Sequence, residues 1–310
     1  MKRYDNANTY QNDIRSVVTI GTFDGVHIGH QKIIERLVAM ANNTQLESVL
    51  LTFFPHPRMV LQKDTDIKLI NTIKERIQIL ERSGIEHLVV HPFTRDFSRL
   101  TAQEYVEELL VKDLNVGHVI IGYDHRFGRN RNASIADLAT YGMRHNFTIE
   151  EISKQDIEDV AVSSTKIRKA LDAGNVKLAN TYLGYNFMLT GMVVKGKELG
   201  RTLNYPTANM HIEESYKLIP KNGVYIVQAQ IDNTTLFGMM NIGTNPTVGG
   251  TEQTIETHFF DVSLNLYDKC IQVELLDRIR DEKTFASVHE LKAAMQEDED
   301  YARDFINSML

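Results

Sequence analysis

Val17-Val18-Thr19-Ile20-Gly21-Thr22-Phe23-Asp24-Gly25-Val26-His27-Ile28-Gly29-His30 decides how the first half of the chain folds. Val17 to Ile20 is a short apolar run that stops at Gly21. Beyond His30, the residues Ile33, Ile34, Leu37, Val38 and Ala41 recur at helical spacing. The stretch therefore reads as a buried strand, a glycine-rich turn and the start of a helix. In open parallel sheets, ligands bind at such turns, at the carboxyl edge of the strands. A helix amino-terminus offers unpaired N–H groups and partial positive charge, which suits phosphate. Gly21, Gly25 and Gly29 allow close backbone approach. His27 and His30 can donate to phosphoryl oxygens as charge redistributes during a displacement. The plain structural alternative is a tight turn with one helix-capping histidine. Phe23 and Asp24 complete the candidate ATP and phosphate contacts.

The same rhythm continues outward. Val49–Phe54, His87–Val90, His118–Ile121 and Phe147–Ile152 read as strands. Ile73, Ile77 and Leu80 mark one intervening helix, and Tyr105, Val106, Leu109 and Leu110 another. Strands alternating with helices over residues 15 to 152 imply a doubly wound parallel sheet, an α/β domain. Residues 163 to 183 read as helical. The pattern then changes: Phe187–Val194, Val224–Ile231, Leu236–Ile242, Thr257–Leu264 and Ile271–Leu276 are short β-rich runs punctuated by Gly, Asn and Asp. They suggest an antiparallel sheet or small barrel. A helix over 287–308 closes the chain, its acidic run Glu297–Asp300 read as a solvated face. Two domains are expected, 1–184 and 185–310.

Two further clusters join the His27–His30 turn. Ser163-Ser164-Thr165-Lys166-Ile167-Arg168 sets hydroxyls and cations at a helix start. Such residues suit a leaving pyrophosphate, although Ser and Thr are also ordinary helix caps. Gly122-Tyr123-Asp124-His125-Arg126-Phe127-Gly128 follows a strand and so shares its sheet edge. Asp124 can bind ribose, a flavin group or an adenine amine. Phe54 and Phe127 can pack on a ring system, or simply in the core.

Composition narrows the partners. The net charge of -7 disfavours a broad nucleic-acid footprint. The single cysteine, Cys270, cannot form an internal disulfide, and the amino-terminus has no apolar signal core. No apolar run approaches the roughly 20 residues that cross a bilayer. A cytoplasmic protein without membrane or nucleic-acid partners is the expectation.

These motifs resemble the prokaryotic bifunctional riboflavin kinase/FAD synthetase (FMN adenylyltransferase) family over nearly the whole chain. Thr52-Phe53-Phe54-Pro55-His56-Pro57-Arg58 is similar to the family's second motif, Gly122–Gly128 to its third and Val162–Arg168 to its fourth. In the carboxyl half, Gly200–Asn209, centred on Pro206-Thr207-Ala208-Asn209, resembles the flavokinase signature. Asn222–Tyr225, Asn241–Thr247 and Ile255–His258 follow in the family's order.

The resemblance implies a nucleotidyltransferase domain followed by a six-stranded antiparallel β-barrel kinase with a carboxyl-terminal helix. It implies two reactions, riboflavin and ATP to FMN, then FMN and ATP to FAD and pyrophosphate, with Mg²⁺ accompanying ATP. His27 and His30 would stabilise adenylyl transfer, and Ser164, Thr165 and Arg168 would hold pyrophosphate. Glu256 would be the kinase base. Thr207 and Asn209 would bind Mg²⁺–ATP, with Gly196 and Lys197 in a loop over the phosphates. Three positions depart from the commonest pattern: His125, Asn132 and Asn204. Asn tolerates positive φ, so Asn132 and Asn204 can keep a glycine-like backbone. Cytidylyl and pantetheine-phosphate adenylyl transferases share the His-x-Gly-His turn, but not the Pro-Thr-Ala-Asn half. A flavin-binding regulator without turnover has no need of His27, His30, Thr207, Asn209 and Glu256.

Overall fold

Strands that are apolar on both faces need covering on both sides, and the first half of the chain supplies helices for this. The computed structural model describes residues 1–62, 67–123, 125–152, 162–196, 205–247, 250–262 and 264–309, leaving aside the side chains of 245–247 and 250–252. The chain divides into two units, Met1–Ser163 and Ser164–Leu310. In the first, the strands are β1 (Lys2–Tyr4), β2 (Ser16–Ile20), β3 (Glu47–Phe54), β4 (His87–Pro92), β5 (Val116–Gly122) and β6 (Thr148–Ile152). Between them run α1 (Ile28–Thr44), α2 (Pro57–Leu61), α3 (Ile73–Glu81), α4 (Ala102–Glu104, continuing as a π-helical stretch Tyr105–Asp113) and α5 (Ile135–His145).

All six strands are parallel, in the order β1-β4-β3-β2-β5-β6. Strand alternation separates two cores. Val17, Leu50, Leu88 and Ile120 pack with Ile34, Leu37 and Leu80 on one face. Val18, Leu51, Val89 and Val119 pack with Val106, Leu109 and Leu138 on the other. The strand order reverses beside β2, which pairs with β3 on one side and β5 on the other. The turn after β2 and the loop after β5 therefore flank the switch point, where such sheets open a crevice. β1 was not expected from its polar sequence. It is a short edge strand held by aromatic contacts of Tyr4 with Tyr10 and His87.

The second unit opens with α6 (Ser164–Asp172) and α7 (Val176–Leu183). Six antiparallel strands follow: β7 (Met188–Val194), β8 (Ala208–His211), β9 (Gly223–Ile231), β10 (Thr234–Thr247), β11 (Gly250–Phe259) and β12 (Cys270–Arg280). They close a barrel in the order β10-β11-β8-β7-β12-β9. Asp232 and Asn233 both take positive φ (49° and 62°) in the two-residue turn between β9 and β10, the backbone a tight hairpin of matching twist needs. The strand expected over Thr257–Leu264 ends at Phe259 instead. Asp261 turns the chain away at φ 56°, and Phe260 packs under the final helix, α8 (Val288–Met309).

That helix seats Ala302 and Ile306 on Val224, Ile226, Met239 and Leu276. The acidic run is not wholly solvated as expected. Asp298 is buried and accepts from Arg280 Nε and Nη2 at 2.8 and 2.7 Å. Glu299 pairs with Arg303 at 2.8 Å. Truncating Ile306 to Ala leaves a cavity beneath the helix, and should cost the barrel about 2–5 kcal/mol. Denaturant unfolding of the full chain checks this.

Candidate active sites

At the carboxyl end of β2 the chain makes a turn of unusual backbone. Phe23, Gly25 and Val26 take φ of 47°, 88° and 35°. Only the glycine adopts this freely, and strain in bulky residues of this kind collects at functional sites. His27 ends the turn as the N-cap of α1, its Nδ1 accepting from the His30 N–H at 3.3 Å. An accepting Nδ1 leaves the proton of a neutral ring on Nε2, as a donor. The two imidazoles stack, with centroids 3.7 Å apart and planes 15° off parallel. Phe23 sets its edge on His30 at 5.1 Å. A Cβ on Gly21 would meet the Phe23 ring at 3.0 Å, so this glycine seats the aromatic. Gly29 is buried in the first turn of the helix.

Beneath the turn lies a buried charge pair that the sequence reading missed. Asp24, 1 % exposed, accepts from the backbone N–H of Ile70 at 3.1 Å and of Asn71 at 3.4 Å. Arg76 Nη2 lies 3.8 Å from the same carboxylate, and the guanidinium is fully buried. Arg76 Nη1 also reaches Thr52 Oγ1 at 3.5 Å. Asp24 thus faces inward, behind the turn rather than on its ligand side. Thr72 and Glu75 form a reciprocal capping box that fixes the start of α3 next to this pair. The signal for Arg76 was available: it sits in register with Ile73, Ile77 and Leu80 on the apolar face of a helix.

Burial pulls the His27 pKa down to about 4, with Asp24 pulling the other way. Burial likewise holds His30 well below the usual range, helped by His27 and Arg76. Both rings are therefore neutral at neutral pH and act as dipolar donors rather than fixed cations.

The other candidates fall variously. Phe54 ends β3, half-buried against the α1 face of the sheet. Phe127 is 4 % exposed in the core, 5.4 Å from Tyr105, so its ring lies under the loop rather than open to a ligand. Asp124 lies outside the described residues. His125 stacks near Phe127 at 6.2 Å. Asn132 takes φ -78°, which corrects the expectation of a glycine-like backbone there. The left-handed residues are Asn130 and Arg131. Half-buried aromatics missed by the sequence reading, Phe93 and Phe97, gather with Phe53 and His91 just beyond β4. Ser164, Thr165 and Arg168 begin α6, in the second unit.

In the barrel, four predicted residues come together. Glu256 on β11 faces Asn209 on β8 across the ladder. The Thr207 hydroxyl donates to Glu256 Oε2 at 3.1 Å. A Cβ on Gly196 would stand 2.3 Å from the Asn209 amide, so only glycine leaves room for that side chain. Lys197 and Asn204 lie outside the described residues. Thr207 and Asn209 offer neutral oxygens beside one carboxylate, a donor set that fits Mg²⁺ shared with phosphates. Among the described residues, no three His, Cys, Asp or Glu side chains converge on a metal position.

Known proteins match this two-part layout. A family model described as FAD synthetase matches residues 9–166, and one described as riboflavin kinase matches 183–306. The bifunctional riboflavin kinase/FMN adenylyltransferase of Escherichia coli K12 is 38% identical over 290 residues, 93% of this chain and 92% of its own. The chain belongs to the bifunctional riboflavin kinase/FMN adenylyltransferase family. The protein of the same description from Listeria monocytogenes is 35% identical, covering 94% of this chain and 93% of its own. A crystal structure titled as a macrolide-efflux protein from Streptococcus pneumoniae is 33% identical, with a TM-score of 0.88, over 97% of this chain and 98% of that one. No described helix here is long and apolar enough to cross a membrane. As a bifunctional riboflavin kinase/FMN adenylyltransferase, the chain uses ATP to phosphorylate riboflavin and to adenylylate FMN.

The depressed His27 pKa has a consequence for stability. An unfolded histidine takes up its proton below about 6.5, while His27 in the folded chain resists until about 4. Its contribution is intact above pH 6.5 and is lost as pH falls towards 4, by up to about 1.4 kcal/mol per pH unit. His27→Asn, which keeps a capping oxygen, should show a shallower loss over that window in chemical denaturation of the full chain.

Proposed function

We propose that the two reactions are divided between these clusters, with adenylyl transfer at His27 and His30 and phosphoryl transfer at Thr207, Asn209 and Glu256. The observation that carries this is the separate assembly of each cluster within its own unit. In adenylyl transfer, an FMN phosphate oxygen attacks the α-phosphorus of ATP, and the bond to the β-phosphate oxygen breaks. FMN arrives as an anion, so the step needs positioning and charge stabilisation rather than a strong base. The neutral imidazole of His27 donates from Nε2 towards the phosphate oxygens. His30 stacks behind it, and Asp24 with Arg76 holds the turn in shape. The first amides of α1, ahead of the His30 amide that His27 caps, complete the anion site.

Ser164, Thr165 and Arg168 keep their proposed hold on pyrophosphate. For Ser164 and Thr165 support comes from the FAD synthetase model, which runs to residue 166, short of Arg168. The riboflavin kinase model begins at 183, which supports a functional boundary near 184. Asp124 keeps its proposed role in orienting substrate. We place the flavin ring of this half at the carboxyl edge of the sheet, with Phe54 on the α1 face and Phe93 and Phe97 on the opposite face as its candidate ring contacts.

In phosphoryl transfer the nucleophile is neutral, the terminal ribityl hydroxyl of riboflavin, and gains from a base. Glu256 takes its proton as the oxygen attacks the γ-phosphorus and the bond to the ADP oxygen breaks. The Thr207 hydroxyl orients that carboxylate. Mg²⁺, held by Thr207, Asn209 and the phosphates, would supply charge neutralisation on ATP. Gly196 leaves room for the Asn209 amide, and Lys197 keeps its proposed role at the ATP phosphates. The free, exposed Cys270 supports the reducing setting of the cytoplasm.

Two variants test the division. His30→Ala should abolish FAD formation from FMN while riboflavin phosphorylation stays near wild type. Glu256→Ala should do the reverse, leaving FAD formation from supplied FMN. Parallel loss of both activities in either variant would defeat the two-site assignment; chromatography of the flavin products reads the result.

A further inference from the structure

The backbone ladder between β8 and β11 is very short. It pairs Glu256 with Asn209 and Thr257 with Ala208, and there it ends. Yet the two groups that matter on this side of the barrel, the Thr207 hydroxyl and the Asn209 amide, straddle that end. Pro206 has no N–H to extend the ladder. A side chain does so instead. The Nδ1 of His258 lies 2.9 Å from the Pro206 carbonyl oxygen. A carbonyl can only accept, so Nδ1 carries the hydrogen.

Strand alternation places His258 on the same face as Glu256, two residues away, while Thr257 between them is buried. Glu256 and His258 therefore bracket one segment of chain, the first holding Thr207 by its hydroxyl and the second holding the preceding carbonyl. The His258 ring is fixed in turn by edge contacts with Tyr205 at 5.1 Å and Phe260 at 5.9 Å. It lines a cleft of about 620 Å³ with Tyr205, Pro206, Gln296 and Arg303. The Tyr205 hydroxyl donates to Gln296 at 3.1 Å, so the aromatic backing is itself tied to α8.

We infer that His258 is a positioning residue for phosphoryl transfer, clamping the Pro206 carbonyl so that Thr207 and Asn209 are held against Glu256. The inference rests on the kinase reading of Thr207, Asn209 and Glu256, which Glu256→Ala tests by itself. Without the clamp, the residues before β8 lose the one described hydrogen bond that ties them to β11 on this side of Thr207. Substrate can still bind, but the catalytic oxygens are no longer held in line. A misplacement of about 1 Å at such a site can cost roughly 100-fold in rate.

The test uses a pair of nearly equal shape in the full chain. In His258→Asn the amide nitrogen can occupy the place of Nδ1 and donate to the carbonyl; in His258→Leu nothing can. The expected result is a kcat for riboflavin phosphorylation about 10- to 100-fold lower in the Leu variant. KM values for ATP and riboflavin should change by less than about threefold, with substantial recovery of kcat in the Asn variant. Adenylylation of supplied FMN should be unchanged in both. If the Leu variant loses the unfolding transition of the barrel, His258→Phe replaces it, keeping a ring between Tyr205 and Phe260. Equal kcat in the Asn variant and the donor-less variant would overturn the inference, as would a loss confined to KM. Should Glu256→Ala retain phosphorylation, the kinase reading itself fails; should it be inactive while the two His258 variants match, only the clamp fails.

Discussion

Asp24 and Arg76 form the constraint on which the first site depends. A carboxylate and a guanidinium, both removed from water, sit directly behind the turn that carries His27 and His30. Neither charge tolerates loss of the other, because an uncompensated buried charge costs about 3–5 kcal/mol. The pair ties the turn after β2 to the start of α3, through the amides of Ile70 and Asn71 and the capping box of Thr72 and Glu75. Two bulky residues can therefore persist at positive φ, and α1 begins with His27 as its cap. The same cation helps keep His30 neutral.

The barrel solves its positioning problem differently. Among the described residues, no buried charge pair stands behind Glu256. Register does the work: β11 presents Glu256 opposite Asn209, and Thr207 completes the contact from just outside the strand. A glycine at 196 is needed because the Asn209 amide occupies the space a side chain would fill. Charge pairs hold α8 to the barrel instead, a largely buried one of Arg280 with Asp298 and an exposed one of Arg303 with Asp261. The two chemistries fit these two designs. Transfer to an anionic phosphate needs fixed dipoles at a helix terminus. Transfer to a neutral hydroxyl needs a carboxylate and metal-binding oxygens in one plane of contact.

Much of this was legible in the residues. Continuous apolar runs separated by amphipathic helices announced the parallel sheet, and the turn after Ile20 announced its ligand edge. Glu256, Thr207 and Asn209, taken from motif order, do meet in space. What stayed hidden depends on long-range packing. β1 is polar because it lies at an edge, so its sequence carries no strand pattern. Phe127 read equally as a ring contact or as core, and only tertiary packing shows it under its loop. Asp24 looked like a ligand contact because its partner lies 52 positions away. Asp298, within an acidic run, is internal because Arg280 is there to meet it.

The central claim is that one chain breaks two different bonds of ATP at two places. Labelled ATP tests it most directly. The chain would be incubated with riboflavin, Mg²⁺ and ATP labelled at either the γ- or the α-phosphorus, and the flavins separated. The account predicts γ-label in both FMN and FAD, and α-label in FAD alone. α-Label in FMN, or FAD formed from riboflavin without γ-label, would contradict it.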